Sequence, residues 1–203
     1  MEIYDDAESK EWAARTVKPG KLFFGIAPCG GQTLGSSTSW ITRWPLESFA
    51  ALIDRLVERF QPKIFIFASP AEKAEVDDLL GKLTPAAHEA ILELPDSSFS
   101  KLIALTAHCD LFISNDTGPL RFADAHGKKI VSFFGRADDR VYGPFPFDPA
   151  RHRVLSHPMP CRPCYKRFRF AECHDDVACL KGVTVEEAFQ ACEELLAADT
   201  KRH

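Results

Sequence analysis

The chain has 203 residues, 45% of them hydrophobic and 27% charged, with a net charge of −4 at pH 7. That balance predicts a globular protein with room for one good core or two small ones, and it does not suggest a dedicated nucleic-acid binder, which would carry a basic surplus. No apolar run approaches the roughly 20 residues of a membrane span, and the acidic opening segment lacks the apolar core of a signal peptide or anchor, so a cytoplasmic location is expected.

After a lead-in helix or tail over residues 1–18, KLFFGIAP (21–28) reads as a buried strand, a short apolar run closed by a breaker. The loop that follows, CGGQTLGSSTSW, is rich in Gly, Ser and Thr. Pro45 then opens a helix whose Leu46, Phe49, Ile53, Leu56, Val57 and Phe60 share one face. KIFIFAS (63–69) is the second strand, 71–83 the next helix, AILELP (90–95) a third strand and 98–109 another helix. LFISND gives a strand, PLRFADAHG a helix stopped by Gly127, KIVSFFG a strand, and HRVLSHP (152–158) the last one. A T-x-x-E capping box, Thr184 with Glu187, starts a final helix over 184–199. Continuous apolar strands alternating with helices predict an α/β fold. The expectation is one Rossmann-like, doubly wound parallel sheet of about six strands, a single domain over 19–203.

In such a sheet, ligands bind at the carboxyl ends of the strands. NDTGP (115–119) stands at one of them. Asn115, Asp116 and Thr117 are suited to cap the next helix, Gly118 admits close approach to the backbone, and Pro119 suits a first helical turn. The N–H groups and helix dipole there favour an anion, typically a phosphate. A merely well-capped helix is the alternative. After the first strand, Gly30, Gly31, Gln32, Thr33, Ser36, Ser37, Thr38 and Ser39 could wrap phosphates or form an ordinary surface loop; no Walker or G-x-G-x-x-G motif is present. After the second, Glu72 in ASPAE could accept from ribose hydroxyls or simply complement a helix end.

Four of the seven cysteines cluster late in the chain. Cys161, Cys164, Cys173 and Cys179 read C-x2-C-x8-C-x5-C, a knuckle over 158–181 whose four thiolates suit a structural zinc or iron. Two disulfides or four reduced thiols are the alternatives, and His174 is an alternative ligand. Between the cysteines, Lys166, Arg167 and Arg169 alternate with Tyr165, Phe168 and Phe170. That pattern can hold single-stranded nucleic acid, or it can pack one face and solvate the other. The acidic balance and the NDTGP loop argue against nucleic acid. Cys192 falls on the apolar face of the last helix and is expected in the core.

Taken together, ISNDTGPLRFADAHGKKIVSFFG, RWPLESFAALIDRL, FASPAE and the cysteine-bearing tail resemble the C-terminal domain of the ADP-heptose:lipopolysaccharide heptosyltransferases, glycosyltransferase family 9. The tail also resembles the iron-binding cysteine finger of autotransporter heptosyltransferases. The resemblance runs from about Trp12 to the end of the last helix. It implies the C-terminal half of a GT-B glycosyltransferase that binds ADP-heptose or a similar nucleotide sugar for inverting transfer. It places Thr38, Ser39, Arg43, Asp116, Thr117, Gly118, Pro119 and Arg121 around the donor diphosphate and sugar. It places Glu72 on the ribose and Leu94 and Pro95 against adenine. Two positions depart from the family pattern: Thr42 replaces a basic residue, with Arg43 adjacent, and Arg121 replaces a histidine. The family's catalytic base, an Asp, belongs to an N-terminal Rossmann-like domain, so no catalytic residue is expected here, and turnover should need that domain or subunit. The alternative is a non-catalytic nucleotide-sugar-binding or assembly module. The partners expected are a nucleotide sugar and the N-terminal half, with no nucleic acid, no transmembrane segment and at most peripheral contact with the inner membrane.

Overall fold

The structure is a computed structural model that describes residues 6–17, 20–30, 41–92, 98–166 and 169–200. Five parallel strands, β1 (Phe23–Ala27), β2 (Lys63–Ile66), β3 (Leu111–Asn115), β4 (Ile130–Phe133) and β5 (His152–Leu155), form one sheet in the order β2-β1-β3-β4-β5. β1, β3 and β4 are buried along their whole length, which is why they read as unbroken apolar runs.

Alternate residues of each strand feed two cores, as the period of two requires. Phe24, Ile26, Ile113 and Phe133 face one layer with α2 (Leu46–Phe60), α3 (Lys73–Leu80), α4 (Pro85–Ala90) and α9 (Val185–Thr200). Phe23, Ala27, Phe112 and Ile130 face the other, with α1 (Ala7–Thr16), α5 (Phe99–Thr106) and α6 (Gly118–Ala125). The sheet is doubly wound, as the sequence implies. Gly25 in β1 is obligatory, because a Cβ there would stand 2.5 Å from the Phe112 ring. The stop after α6 is a Schellman turn: Gly127 takes φ +67°, its N–H donates to the Asp124 carbonyl, and Lys128 N–H donates to Ala123.

The strand expected over 90–95 is not among the five. α4 occupies its start, with Thr84 as N-cap and Pro85 in the first turn, and Ile91 makes only an isolated parallel bridge to Ile64; residues 93–97 lie outside the described residues. Two short helices, α7 (Asp139–Tyr142) and α8 (Ala178–Lys181), and an antiparallel pair, β6 (Tyr165–Lys166) with β7 (Arg169–Phe170), were not anticipated either. The Thr184–Glu187 capping box is present at the head of α9. Thr184 N–H donates to Glu187 Oε2 at 2.7 Å, and Glu187 N–H donates to Thr184 Oγ1 at 3.2 Å.

Candidate functional site

From β1 the chain first adds β2 on one side and then β3 on the other, so the crevice between β1 and β3 is where the winding reverses. A cavity of about 250 Å³ opens beside the carboxyl ends of β1, β2 and β3. Ser69 and Glu72 stand on one side, Thr117, Gly118 and Pro119 on the other, and Cys29 also lines it. The rest of the wall is Phe67, Ala68, Phe99, Leu102 and Phe122. Phe99 is 67% exposed, and its ring meets Phe122 edge-on at 5.5 Å.

Glu72 is buried at the end of a single 3-10 turn, Pro70–Glu72, that leads into α3. Its Oε2 accepts from both the N–H and the Oγ of Ser69, each at 2.8 Å, closing a capping box. The S-x-x-E spacing was visible in the sequence and passed over there. Its effect is to fix a carboxylate at the cavity wall in one orientation.

Asn115, expected as a cap, does something else. Its Oδ1 accepts from the Trp44 N–H at 2.9 Å, and its Nδ2 donates to the carbonyls of Pro28, at 2.7 Å, and Cys29, at 3.2 Å. One buried amide thus ties the ends of β1 and β3 to the entry of α2. Thr117 is the N-cap residue of α6 but makes no side-chain cap bond; its hydroxyl lies 3.1 Å from Ser114 Oγ instead. The first-turn N–H groups of α6 are therefore not occupied by the expected cap, an arrangement suited to an anion.

Asp116 and Arg121 are joined. Arg121 Nη2 donates to Asp116 Oδ1 and Nη1 donates to the Gly143 carbonyl at 3.2 Å. Burial raises the Asp116 carboxyl above its ordinary value, and the Arg121 guanidinium opposes that rise. Arg43 turns toward α3, with Nη1 3.4 Å from Glu75 Oε1. The Cys29 thiol is pushed up to about 12, by burial first and then by Glu72 and Glu75, with Arg43 opposing. The structure thus gathers Glu72, Thr117, Gly118 and Pro119 around one cavity, sets Asp116 and Arg121 at the α6 start, and pairs Arg43 with Glu75 of α3, within electrostatic reach of Cys29. Thr38, Ser39, Leu94 and Pro95 lie outside the described residues. The aromatic wall of Phe67, Phe99 and Phe122 was not anticipated; apolar periodicity marks residues for a core and not for a cavity.

All seven cysteines are free thiols. Among the described residues, no group of three or more His, Cys, Asp or Glu is drawn close enough to hold a metal ion. The four late cysteines nevertheless share one neighbourhood. Burial raises the Cys179 thiol, Arg162 opposes this, and Cys164, Cys173 and Cys161 each add to the rise. Two sulfurs also receive N–H donors, Cys173 from Val177 at 3.3 Å and Cys164 from Arg136 Nε at 3.2 Å. A soft donor set with N–H groups aimed at sulfur fits a thiolate-bound ion in kind. The segment is also knit to the end of β4. Arg136 is buried, donates from Nη2 to the Ala171 carbonyl, and accepts at its own carbonyl from the Cys164 and Tyr165 N–H groups. Arg162 donates to the Gly135 carbonyl and, at 3.3 Å, to Asp139 Oδ1.

Lipooligosaccharide heptosyltransferase 2 of Campylobacter jejuni is 23% identical over 181 residues, covering 89% of this chain and 53% of that protein. Among solved structures, ADP-heptose lps heptosyltransferase II of E. coli matches with a TM-score of 0.74 at 16% identity, over 98% of this chain and 54% of that one. The dodecameric iron-containing glycosyltransferase TibC of enterotoxigenic E. coli matches with a TM-score of 0.60 at 13% identity, over 92% of this chain and 49% of that one. The chain spans about half the length of the curated relatives it matches. The sequence profile of glycosyltransferase family 9 (heptosyltransferase) matches residues 25–174, from within β1 into the cysteine segment. That stretch holds both walls of the cavity, and by it the chain belongs to glycosyltransferase family 9.

Proposed function

We propose that this chain is the donor half of a heptosyltransferase. It binds ADP-heptose or a close nucleotide sugar, and an N-terminal acceptor domain or subunit completes it for inverting transfer. The observation that carries this reading is the cavity at the β1/β3 switch point, with a fixed carboxylate on one side and an uncapped helix start on the other. The adenine ring lies against Phe67, Phe99, Leu102 and Phe122, with Leu94 and Pro95 beside it. Glu72, oriented by Ser69, accepts from the ribose hydroxyls; a carboxylate has about four acceptor sites. The diphosphate meets the first turn of α6 at Thr117, Gly118 and Pro119, with Arg121, Arg43, Thr38 and Ser39 contributing, and Asp116 faces the sugar. Charge that develops on the leaving diphosphate is stabilised by these N–H groups and cations. Acceptor deprotonation needs a positioned base, which the other half supplies.

Cys161, Cys164, Cys173 and Cys179 would hold one zinc or iron, with four thiolates and so no open position for substrate. Such an ion supplies local folding energy to the segment. Residues 19–203 form one folding unit in this reading. Among the described residues no helix is long and apolar enough to cross a membrane, and we place the protein in the cytoplasm.

Titration calorimetry with ADP and ADP-heptose tests the donor site. Weak binding by the isolated chain is expected, and Glu72→Ala should weaken ADP more than inorganic pyrophosphate. A folded protein that binds neither nucleotide at millimolar concentration overturns the reading. A second reading is a non-catalytic nucleotide-sugar-binding module, which the same cavity would serve. Acceptor-dependent ADP release on adding a family N-terminal domain decides for the enzyme; binding that never leads to transfer decides for the module.

A further inference from the structure

Arg121 lies in the first turn of α6. A cation there opposes the helix dipole, whose positive end favours acids. The guanidinium is held at two points, by Nη1 on the Gly143 carbonyl and by Nη2 on Asp116. Both partners of the pair are mostly covered, at 30% and 24% side-chain exposure. They bracket Thr117, Gly118 and Pro119, which line the cavity. Burial works against the charged form of Asp116 more strongly than Arg121 supports it. The pair is therefore a poor stability device, in keeping with the small or negative net value of covered ion pairs.

We propose that the Asp116–Arg121 pair is an internal substitute for the ligand's diphosphate. An incoming diphosphate takes over Nη2 of Arg121, while Nη1 stays anchored on Gly143. The released Asp116 carboxylate then accepts hydrogen bonds from the sugar hydroxyls of the same ligand. This rests on the donor-site reading above and adds a selectivity to it. A nucleotide sugar satisfies both members of the broken pair. A nucleoside diphosphate without its sugar satisfies only Arg121 and leaves a covered carboxylate without a partner, a costly state. The pair thus favours the donor over the spent nucleotide and helps expel the latter once the sugar has gone.

The test is calorimetric titration of the wild type, Asp116→Asn, Arg121→Ala and the double variant with pyrophosphate, ADP and ADP-heptose. Asp116→Asn should bind pyrophosphate and ADP about twofold to fivefold more tightly than wild type, the upper range of an ion pair of this exposure. It should not gain for ADP-heptose. Arg121→Ala should lose pyrophosphate affinity, and adding Asp116→Asn to it should change nothing more. If Arg121→Ala fails to fold by circular dichroism, Arg121→Lys replaces it, since a lysine cannot hold Gly143 and an anion together. Wild-type ADP binding that Asp116→Asn leaves unchanged or weakens overturns this proposal alone. Equal tightening for all three ligands also overturns it, because the sugar then does not take over Asp116. Folded protein that binds none of the three ligands in any version overturns both this proposal and the donor-site reading.

Discussion

Asn115 and Asp116 are neighbours with different kinds of work. Asn115 spends its amide on backbone groups 71 to 87 residues away, so a local pattern could only suggest a cap. What was legible in N-D-T-G-P was that polar residues and a Gly-Pro start a helix; the partners of each side chain were not, because they come from other strands. The behaviour of Asp116 can be checked through pH. Its folded-state pKa is raised above the ordinary 3.8, by burial first, with Arg121 opposing. The folded chain therefore holds that proton more tightly than the unfolded one does. The resulting stability is fully present below the unfolded value and is lost as pH rises through the raised folded value. Asp116→Asn does not titrate, so its urea midpoint relative to wild type should climb as pH rises through the ordinary 3.8 and above it. A wild type that gains on the variant over that range would mean that Arg121 outweighs burial.

Between elements, Trp44 is the meeting point. Its indole stacks on Phe133 of β4 at 4.2 Å, meets Phe49 of α2 edge-on at 5.1 Å, and donates from Nε1 to the Val183 carbonyl at 2.9 Å, just ahead of α9. Trp44→Phe keeps an aromatic ring but leaves that buried carbonyl without its donor, which should cost about 1–3 kcal/mol. Hydrogen exchange should then speed up first over residues 183–189. Uniform loss of protection across the sheet would instead mean that Trp44 acts through packing alone. The elements were legible in proportion to their length and burial. α2 showed its face over 15 residues, and the i, i+3 spacing of Thr184 and Glu187 announced α9. α4, with six residues, was too short to show a period, so the apolar pair Ile91–Leu92 after it was read as a full strand.

For the whole molecule, the double winding was readable because strands covered on both faces carry no alternation. The cysteine segment was readable as a cluster but not as a packed part of the sheet. Elemental analysis of protein purified without added metal should find about one zinc or iron per chain. Removing it with a chelator should loosen residues after His157 before the sheet unfolds. Metal far below one equivalent, with four titratable thiols in the segment, would rule for reduced cysteines. Arg136 has a separate consequence. Its buried guanidinium reaches into the cysteine segment at Cys164 and Ala171, and its carbonyl receives that segment's N–H groups. Tyr165 then meets Tyr142, the neighbour of the Gly143 on which Arg121 is anchored. An engineer who cut out residues 161–174 and left α8 and α9 on the sheet would be removing no strand of the five-stranded sheet and no helix that covers it. The cut would strip a covered cation of partners and remove a support under the anchor of Arg121, so a minimal donor-binding fragment has to include the cysteines, whether or not they ever hold an ion.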